Sequence, residues 1–352
     1  QFIAVKAIKF SKGAPRRLLI ILCLLTFAMT TVLTQITTIL IVGSLTFVAC
    51  DALDQSPAPF LISEAVVANV GGISTAISSV PNMLIVGASE LPFVWFVASL
   101  LPLALILLVV SLVLIVFLFK DSFSTPEDNR IQDLMDLDAW TMVTERQSFY
   151  ITAVLLLGLI IGFVVFGSIG LTYIVALVGA LAFILLSRVE LDPILQSIEW
   201  KSIVFFLCLF MTVGLLEEFY VFEAIGYGVL SLTAGNPFIA VILLVWITGL
   251  TSGLVDNIPV TLTFIPVVFV LGGSSLVMGM DVLWVSLAAG AVLGGCLTPI
   301  ASSANVLAVN LSKREGHSIP YSQFLKTGVI VTLSFLGIST LYVLVHTFLQ
   351  VI

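Results

Sequence analysis

A carboxylate and an amide stand side by side in the middle of a long apolar stretch, at Asp256 and Asn257. An ionisable side chain in the apolar layer of a membrane costs about 2.5 kcal/mol or more unless it faces a polar cavity, so it is a functional candidate. Pro259 removes a backbone donor and disfavours helical geometry at the preceding residue, which predicts a helix break between Val255 and Ile258. We therefore predict that Asp256 lies at the tip of a re-entrant hairpin.

Asp256 and three asparagines each have two interpretations. The Asp256 carboxylate could bind Na⁺ or a proton, or it could cap the helix arm that follows, and capping does not exclude ion binding. The amides of Asn82, Asn257 and Asn305 could bind an ion or the substrate, or could satisfy backbone groups that helix breaks leave bare. The predicted ligands of a Na⁺ ion are Asp256, Asn257 and Asn305. Apart from Na⁺ or H⁺ as a coupling ion, we predict no cofactor.

Hydroxyl and amide side chains gather around three further interruptions of apolar segments. Such side chains would line an uncharged pocket, although serines and threonines also serve close packing of membrane helices. Glycines at the breaks allow unwinding and close approach of the backbone. Besides Asp256 and Asn257, the predicted binding residues are Thr34, Gln35, Thr37, Thr38, Gly72, Thr75, Ser78, Ser79, Asn82, Thr261, Gly295, Thr298, Ser302, Ser303 and Asn305.

The composition is that of a membrane protein. Of 352 residues, 60% are hydrophobic and 9% charged, whereas soluble domains have roughly 25% charged residues. The length suffices for about ten to twelve segments of about 20 residues, so we predict an all-α polytopic protein of a bacterial inner or cell membrane. No basic stripe offers a site for nucleic acid. The expected partners are the lipid bilayer and a small inorganic ion or oxyanion.

Motifs of nucleophilic, phosphate-binding or zinc-dependent catalysis are absent from the sequence, which contains no GxSxG, GxxxxGK[ST] or HExxH. We therefore predict that the protein is not an enzyme. Cys296 adjoins Gly295 and raises the hypothesis of an arsenic–thiolate bond. Free cysteine is commonly a small buried residue, however, and no second thiol lies nearby in the sequence.

The remaining segments are predicted from apolar runs and their interruptions. The first half contains a basic amphipathic surface helix over 1–17, a hairpin over 18–50, a broken helix over 62–88, a span over 92–119 and a loop with a short surface helix near 131–143. The second half contains spans over 148–166, 169–186 and 202–216, a surface helix over 217–235, a hairpin over 237–271, a broken helix over 282–307 and a last span over 324–349.

The distribution of charge predicts the topology. If both hairpins return to the side from which they enter, all thirteen Lys and Arg fall on one side and only acids on the other. Basic residues mark the cytoplasmic side. Residues 120–147 are therefore predicted to be cytoplasmic, and the C-terminus is predicted to lie on the outer side.

The two halves of the sequence align with each other. A shift of 222 positions places Thr34-Gln35 on Asp256-Asn257, and a shift of 223 places Gly71-Gly72 on Gly294-Gly295 and Asn82 on Asn305. Because the copies start from opposite faces, we predict an inverted-topology repeat with two re-entrant hairpins and two broken transmembrane helices. The first repeat is 1–119, the linker 120–147 and the second repeat 148–352. Residues 148–216 have no counterpart before residue 1, which predicts that N-terminal spans are missing.

The tips, the GG-x-x-T broken helices and the run Ser303-Ala304-Asn305-Val306-Leu307 resemble the ion transporter superfamily, as do residues 2–17 and 200–218. Within it, the chain is similar to the arsenite-permease branch, which includes the NhaD-type sodium/proton antiporters and the P protein. The resemblance implies a scaffold domain and a transport domain, an elevator-like motion, substrate held between tips and broken helices, and a homodimer formed through the scaffold. Relatives usually have Asp-Asn at both tips, whereas here the first tip is Thr34-Gln35.

The predicted function is secondary active transport of a small inorganic ion or oxyacid, such as arsenite, antimonite or a related anion, coupled to H⁺ or Na⁺. A Na⁺/H⁺ antiporter is the alternative within the same class. A degenerate, non-transporting membrane scaffold or a channel-like protein is the alternative of another class, because the first tip lacks a carboxylate.

Overall fold

The described part of the chain is helical. The computed structural model describes residues 9–89, 91–123, 146–166, 172–187, 200–273 and 279–351, and these ranges contain helices and turns but no strand. The helices of the first half are α1 (Pro15–Thr30), α2 (Gln35–Leu53), α3 (Ala58–Gly72), α4 (Val80–Ser89) and α5 (Phe93–Leu118). Those of the second half are α6 (Arg146–Phe166), α7 (Thr172–Ser187), α8 (Trp200–Glu218), α9 (Val221–Thr233), α10 (Pro237–Leu254), α11 (Asn257–Gly272), α12 (Met280–Gly294), α13 (Ser303–Arg314) and α14 (Tyr321–Val351).

Four of the described helices are long and apolar enough to cross a membrane, namely Gln35–Leu53, Phe93–Leu118, Pro237–Leu254 and Tyr321–Leu349. Helix α5 also exposes an apolar stripe at every fourth residue, formed by Leu105, Val109, Val113 and Phe117. Residues four apart lie on one face of a helix, so this face is suited to lipid tails. The prediction of an all-α polytopic membrane protein is confirmed at this level.

The four predicted helix interruptions are present. Helices α1 and α2 are separated by residues 31–34, and α3 and α4 by residues 73–79. In the second half, α10 and α11 are separated by residues 255 and 256, and α12 and α13 by residues 295–302. Extended backbone at Asp256, with φ −170° and ψ 149°, ends the helical path before Pro259.

The predicted N-terminal surface helix differs from the structure within residues 9–17. The chain turns at Lys12 and Gly13, whose φ angles of 52° and 73° are left-handed, and Pro15 begins α1. Glycine tolerates this geometry and proline favours the first position of a helix, so a single helix over 1–17 is excluded. Residues 1–8 and the helix predicted near 131–143 lie outside the described residues.

Helix α8 continues to Glu218, two residues beyond the predicted end of its span. The chain then turns at Tyr220, where φ is 56°, before α9 begins at Val221. Helix α9 packs one face against α11, because Gly226 lies against the side chain of Val270. The predicted surface helix over 217–235 therefore corresponds to α9, with its start moved to Val221.

Helices α10 and α12 touch backbone to backbone. Each carries two glycines four residues apart, Gly249 and Gly253 on α10 and Gly290 and Gly294 on α12. A Cβ atom added at Gly294 would lie 2.9 Å from the Cα atom of Gly249, and one at Gly253 would lie 3.0 Å from the carbonyl oxygen of Gly294. Small residues at this spacing let membrane helices approach closely. Helix α10 is thereby held directly against helix α12.

This contact predicts a position-dependent effect of alanine. Gly294→Ala should destabilise the folded protein by about 1–3 kcal/mol, because the new methyl group overlaps main-chain atoms that side-chain movement cannot relieve. Gly337→Ala in α14 is the matched control, since nothing lies within 4 Å of its added Cβ. Thermal unfolding of the detergent-solubilised chain should show a lower Tm for Gly294→Ala alone. Equal melting temperatures for the two variants would contradict the described packing.

Candidate functional site

Four helix N-termini meet at one small cavity. It is lined by Thr34, Gln35, Ile36, Ser79, Val80, Pro81, Asn257, Ile258 and Ser303. These residues are the caps or first residues of α2, α4, α11 and α13. The space open to water is about 30 Å³, enough for roughly two water molecules. The cavity thus brings together both predicted hairpin tips and the second halves of both broken helices.

The lining of this cavity has no charged side chain, so the backbone contributes the positive end of its electrostatics. Each helix N-terminus carries roughly half a positive charge and several N–H groups without a partner inside the helix. The lining contains no Lys or Arg and no Asp or Glu. Four converging N-termini therefore favour an anion or the oxygen atoms of a polar solute, as helix N-termini do for phosphates and carboxylates.

Equivalent backbone hydrogen bonds join each tip to a helix break. The backbone N–H of Gln35 donates to the carbonyl oxygen of Ser78 over 3.2 Å, and that of Asn257 donates to the carbonyl oxygen of Ala301 over 3.2 Å. These bonds are related by the shifts of 222 and 223 positions that align the two halves. The alignment read from residue types therefore extends to contacts in space.

Two threonines make a second equivalent pair of bonds. The Thr75 hydroxyl donates to the carbonyl oxygen of Thr31 over 3.1 Å, and the Thr298 hydroxyl donates to that of Gly253 over 2.9 Å. Both accepting carbonyls lie where the first arm of a hairpin ends. Thr75 and Thr298 therefore tie the breaks to the tips and do not line the cavity.

Asn82 braces the first break. Its Nδ2 atom donates to the carbonyl oxygens of Gly72 and Thr75, each over 2.9 Å. The Oδ1 atom is buried and has no hydrogen-bond partner in the described part of the chain. Ser78 supports the same turn, because its hydroxyl bonds to those two carbonyl oxygens over 2.8 and 2.7 Å. One end of the Asn82 amide is thus structural, and the other end is available to a ligand.

Asn305 braces the second break in the same way. Its Nδ2 atom donates to the carbonyl oxygens of Gly295 and Thr298 over 2.7 and 2.8 Å. Its Oδ1 atom accepts a hydrogen bond from Nδ2 of Asn69 over 3.0 Å. Both ends of this amide are therefore engaged within the protein. Its role as a ligand of Na⁺ stays a prediction, while the bracing interpretation agrees with the contacts.

The helix caps at the two tips differ in charge. The Thr34 hydroxyl accepts from the backbone N–H of Thr37 over 3.3 Å, and Oδ1 of Asp256 accepts from the N–H of Ile258 over 2.8 Å. The capping interpretation of Asp256 is therefore confirmed. Asp256 is half-buried beside the cavity and is not among its lining residues.

Several buried polar atoms around the breaks have no hydrogen-bond partner among the described residues. Such atoms are rare in folded proteins and point to water, an ion or a ligand. Ser302 illustrates this, since it precedes α13 without capping it. The atoms are Gln35 Nε2, Thr38 Oγ1, Asn69 Oδ1, Ser79 Oγ, Asn82 Oδ1 and Ser302 Oγ.

Three other predicted residues have local or steric roles. The Thr261 hydroxyl donates to the carbonyl oxygen of Asn257 over 2.7 Å, within α11. Gly72 lies against Gln35, whose side chain would collide with any Cβ atom there. Gly295 lies close to Oδ1 of Asn69, at 3.1 Å from an added Cβ. These residues shape the surroundings of the cavity without lining it.

Sequence reasoning missed two buried polar residues of α3, Glu64 and Asn69. Both are completely buried. Asn69 connects the two broken helices directly through its bond to Asn305. The available signal was the cost of a carboxylate and an amide in an apolar helix, the argument that singled out Asp256. No proline or glycine adjoins Glu64, and the break that Gly71-Gly72 predicts was assigned to the residues after Asn69.

A membrane protein whose described part is helical, with interrupted helices directed at one small cavity, has the form of a membrane transporter. The chain belongs to the citrate transporter family, CitMHS, of the ion transporter superfamily, and the family model matches residues 1–290. This confirms the superfamily to which the motifs pointed.

Individual relatives cover most of the chain. A protein described as a 46 kDa membrane protein of Mycobacterium leprae is 30% identical over 349 residues, which cover 97% of this chain and 80% of that protein. An uncharacterized transporter of Mycobacterium tuberculosis is 31% identical over 355 residues, covering 99% of this chain and 81% of that protein. The P protein of Homo sapiens is 27% identical over 406 residues, covering 93% of this chain and 48% of that protein.

The bracing amides yield a prediction about stability. Asn305→Asp replaces two N–H donors with an oxygen that faces two carbonyl oxygens. The folded protein should therefore lose about 1–3 kcal/mol of stability for each carbonyl oxygen left without a donor. Asn310→Asp, an exposed position on the same helix, is the matched control. Thermal unfolding and hydrogen exchange should report early opening around residues 295–302 in Asn305→Asp only. Unchanged exchange in that segment would show that the amide does not hold the break.

Proposed function

We propose that the protein is a secondary active transporter that carries a small oxyanion or oxyacid across the membrane, coupled to H⁺ or Na⁺. The observation that carries this proposal is the meeting of four helix N-termini at one cavity without a basic side chain. Backbone dipoles attract an anion there at little cost, whereas a buried Lys or Arg would need a fixed counter-charge in every state of a transport cycle.

The proposed architecture is an inverted-topology repeat with two re-entrant hairpins and two broken helices. Its support is the recurrence of three kinds of hydrogen bond at the same spacing in both halves, at the tips, the threonines and the bracing asparagines. In this arrangement the repeats are 1–119 and 148–352, joined by a cytoplasmic segment over 120–147. The C-terminus then lies on the outer side.

The proposed mechanism is an elevator-type alternation of access. Sites for small molecules usually measure about 300 Å³ or more, and the cavity between the tips offers water about 30 Å³. A citrate-sized solute therefore needs the tips to separate before it can enter. In the proposal, the hairpins and broken helices move together against a scaffold that includes α6 and α7, through which a homodimer forms.

The substrate proposed is an oxygen-rich anion or its neutral acid. The family description names citrate, and the hydroxyls and backbone N–H groups around the cavity suit carboxylate oxygens. The same groups suit arsenite and antimonite, which are small enough to need less opening of the tips. Labelled citrate and arsenite are therefore the first probes for uptake into proteoliposomes with an imposed pH gradient.

Na⁺/H⁺ antiport is a second candidate, favoured by the position of Asp256 and Asn257 at the second tip. A carboxylate and an amide supply the oxygen ligands that a hard cation prefers. In proteoliposomes, an antiporter dissipates an imposed pH gradient when Na⁺ is added, without any anion. An anion carrier dissipates it only when its anion is present.

Asp256→Asn should abolish gradient-driven transport without loss of folded protein. Asparagine caps helices as well as aspartate does, so the bond to the Ile258 N–H survives while the titratable charge is lost. Asp281→Asn at the start of α12 is the matched control, roughly 20 Å along the helix from Gly294. The measurements are Tm and initial uptake of labelled citrate, arsenite and Na⁺.

Full gradient-driven uptake by Asp256→Asn would refute the coupling role of this residue. A wild-type protein that accumulates none of the three probes under either a pH or a Na⁺ gradient would favour the non-transporting scaffold. Flux that is far faster than carrier turnover and needs no gradient would instead indicate a channel.

A further inference from the structure

Glu64 is a buried carboxylate that no part of the proposed anion site uses. It lies in α3, every residue of which is buried, and its own side chain is completely buried. The Thr46 hydroxyl of α2 donates a hydrogen bond to its Oε1 atom. Its Oε2 atom is buried and accepts no hydrogen bond in the described part of the chain.

Among the described residues, no cation forms an ion pair with Glu64, since the ion pair observed there joins Lys120 and Asp121. An isolated ionised carboxylate in an apolar interior costs far more than its neutral acid, so such a group binds a proton unless a cation or several donors stabilise it. One hydroxyl donor on one oxygen does not supply that stabilisation.

The titratable groups around Glu64 are few. Cys23 on α1 and Cys50 on α2 are buried, and the Sγ atom of the buried Cys296 lies 3.9 Å from the carbonyl oxygen of Val66 on α3. Helix α5, which also packs against α3, carries no titratable residue. The other titratable or charged residues on helices packed against α3 are Arg16, Arg17, Asp51, Asp281, Lys313, Arg314, Tyr321, Lys326, Tyr342 and His346.

The second half of the chain shows that the fold does not need this polar pair. The shift of 223 places Leu287 on Glu64, and the shift of 222 places Val268 on Thr46. Leu287 and Val268 are completely buried, like the residues they replace. Apolar side chains therefore fill the corresponding buried positions of the second half, so burial alone does not require a carboxylate in the first half.

The two halves also differ in where carboxylates lie at the tip and within the first arm of the broken helix. The second half has its carboxylate at the tip, in Asp256, where the first half has Thr34. The first half has its carboxylate within the first arm of the broken helix, in Glu64, where the second half has Leu287. Glu64 and Asp256 therefore lie at different positions of the two halves, and among the described residues Glu64 is completely buried whereas Asp256, like Glu223 and Asp281, is half-buried.

We propose that Glu64 binds and releases a proton during the transport cycle and so gives the first half the ionisable group that its tip lacks. The step is the conversion of one carboxylate and one proton from water into a neutral carboxylic acid, reversed when movement of the helices admits water to the side chain. This inference rests on the proposed function, because it takes the proton as the coupling ion or as one of two coupling ions.

Glu64→Gln tests the proposal. Glutamine keeps an oxygen that accepts the bond from Thr46 and mimics the neutral acid, so the variant should fold and bind substrate as the wild type does. We expect exchange of labelled substrate across the membrane without a gradient to persist. Accumulation driven by a pH gradient should fall to the level of empty liposomes or lose its dependence on pH. The proton flux that a pH-sensitive dye reports should change in the same way. The probe is whichever of citrate, arsenite or Na⁺ the wild type accumulates.

Two control variants separate proton binding from structure. Ser63→Ala removes a neighbouring buried hydroxyl that bonds only to the carbonyl oxygen of Pro59, and it should leave pH-driven accumulation intact. Thr46→Val removes the donor to Glu64 but keeps the carboxylate, so it should shift the pH dependence of transport without abolishing coupling. Coupled accumulation by Glu64→Gln at the wild-type level would overturn the proposal, as would equal losses of coupling in Glu64→Gln and Ser63→Ala.

A spectroscopic measurement keeps this test independent of transport. Infrared spectra of the purified full chain at neutral pH should contain the carbonyl band of a protonated carboxylic acid that is absent from Glu64→Gln. If the wild type accumulates no probe, the proposed function fails while this band still decides whether Glu64 holds a proton. Identical spectra of the two proteins would refute proton binding by Glu64 even if the wild type transports.

Discussion

Every break in a membrane helix leaves backbone donors and acceptors without partners, in surroundings where water cannot replace them. This structure meets that constraint with side chains of the breaks themselves. Asn82 and Asn305 each bond to two freed carbonyl oxygens, and Thr75 and Thr298 each bond to one carbonyl oxygen at the end of a hairpin arm. The convergence of four N-termini is possible only because these bonds stabilise the unwound segments.

The two halves share this scaffold of hydrogen bonds but differ in their charges. Equivalent tips carry Thr34 and Asp256, and equivalent positions of the broken helices carry Glu64 and Leu287. The two halves therefore share the backbone geometry of the breaks and differ in the ionisable side chains placed on it.

The helix interruptions were predictable because their causes are local. Pro259, Pro81 and the paired glycines determine breaks through backbone sterics, which depend on neighbours in the sequence. The N-terminal helix was predicted too long because the amphipathic pattern over 1–17 does not show the left-handed turn at Lys12 and Gly13. That turn ends the helical path whatever the pattern of apolar residues.

The candidate site was predictable only in part because hydrogen-bond partners are distant in the sequence. The pairing of Asn69 with Asn305 joins residues 236 positions apart, and nothing local indicates it. For the same reason, the sequence left open whether an amide braces a break or binds a ligand. In the structure Asn82 and Asn305 both brace a break, and they differ in that Oδ1 of Asn305 accepts a hydrogen bond while Oδ1 of Asn82 has no partner among the described residues. Glu64 was missed because its partner Thr46 belongs to another helix and no proline or glycine adjoins it to indicate a break.

The glycine contact between α10 and α12 limits which helices can move relative to each other. Main-chain atoms of the two helices meet directly at Gly249 and Gly294, so neither a lipid tail nor water fits between them. Helices in such contact interlock, and translating one past the other would force main-chain atoms to overlap. The shear plane of any large displacement must therefore run elsewhere, along surfaces where long, deformable side chains separate the helices.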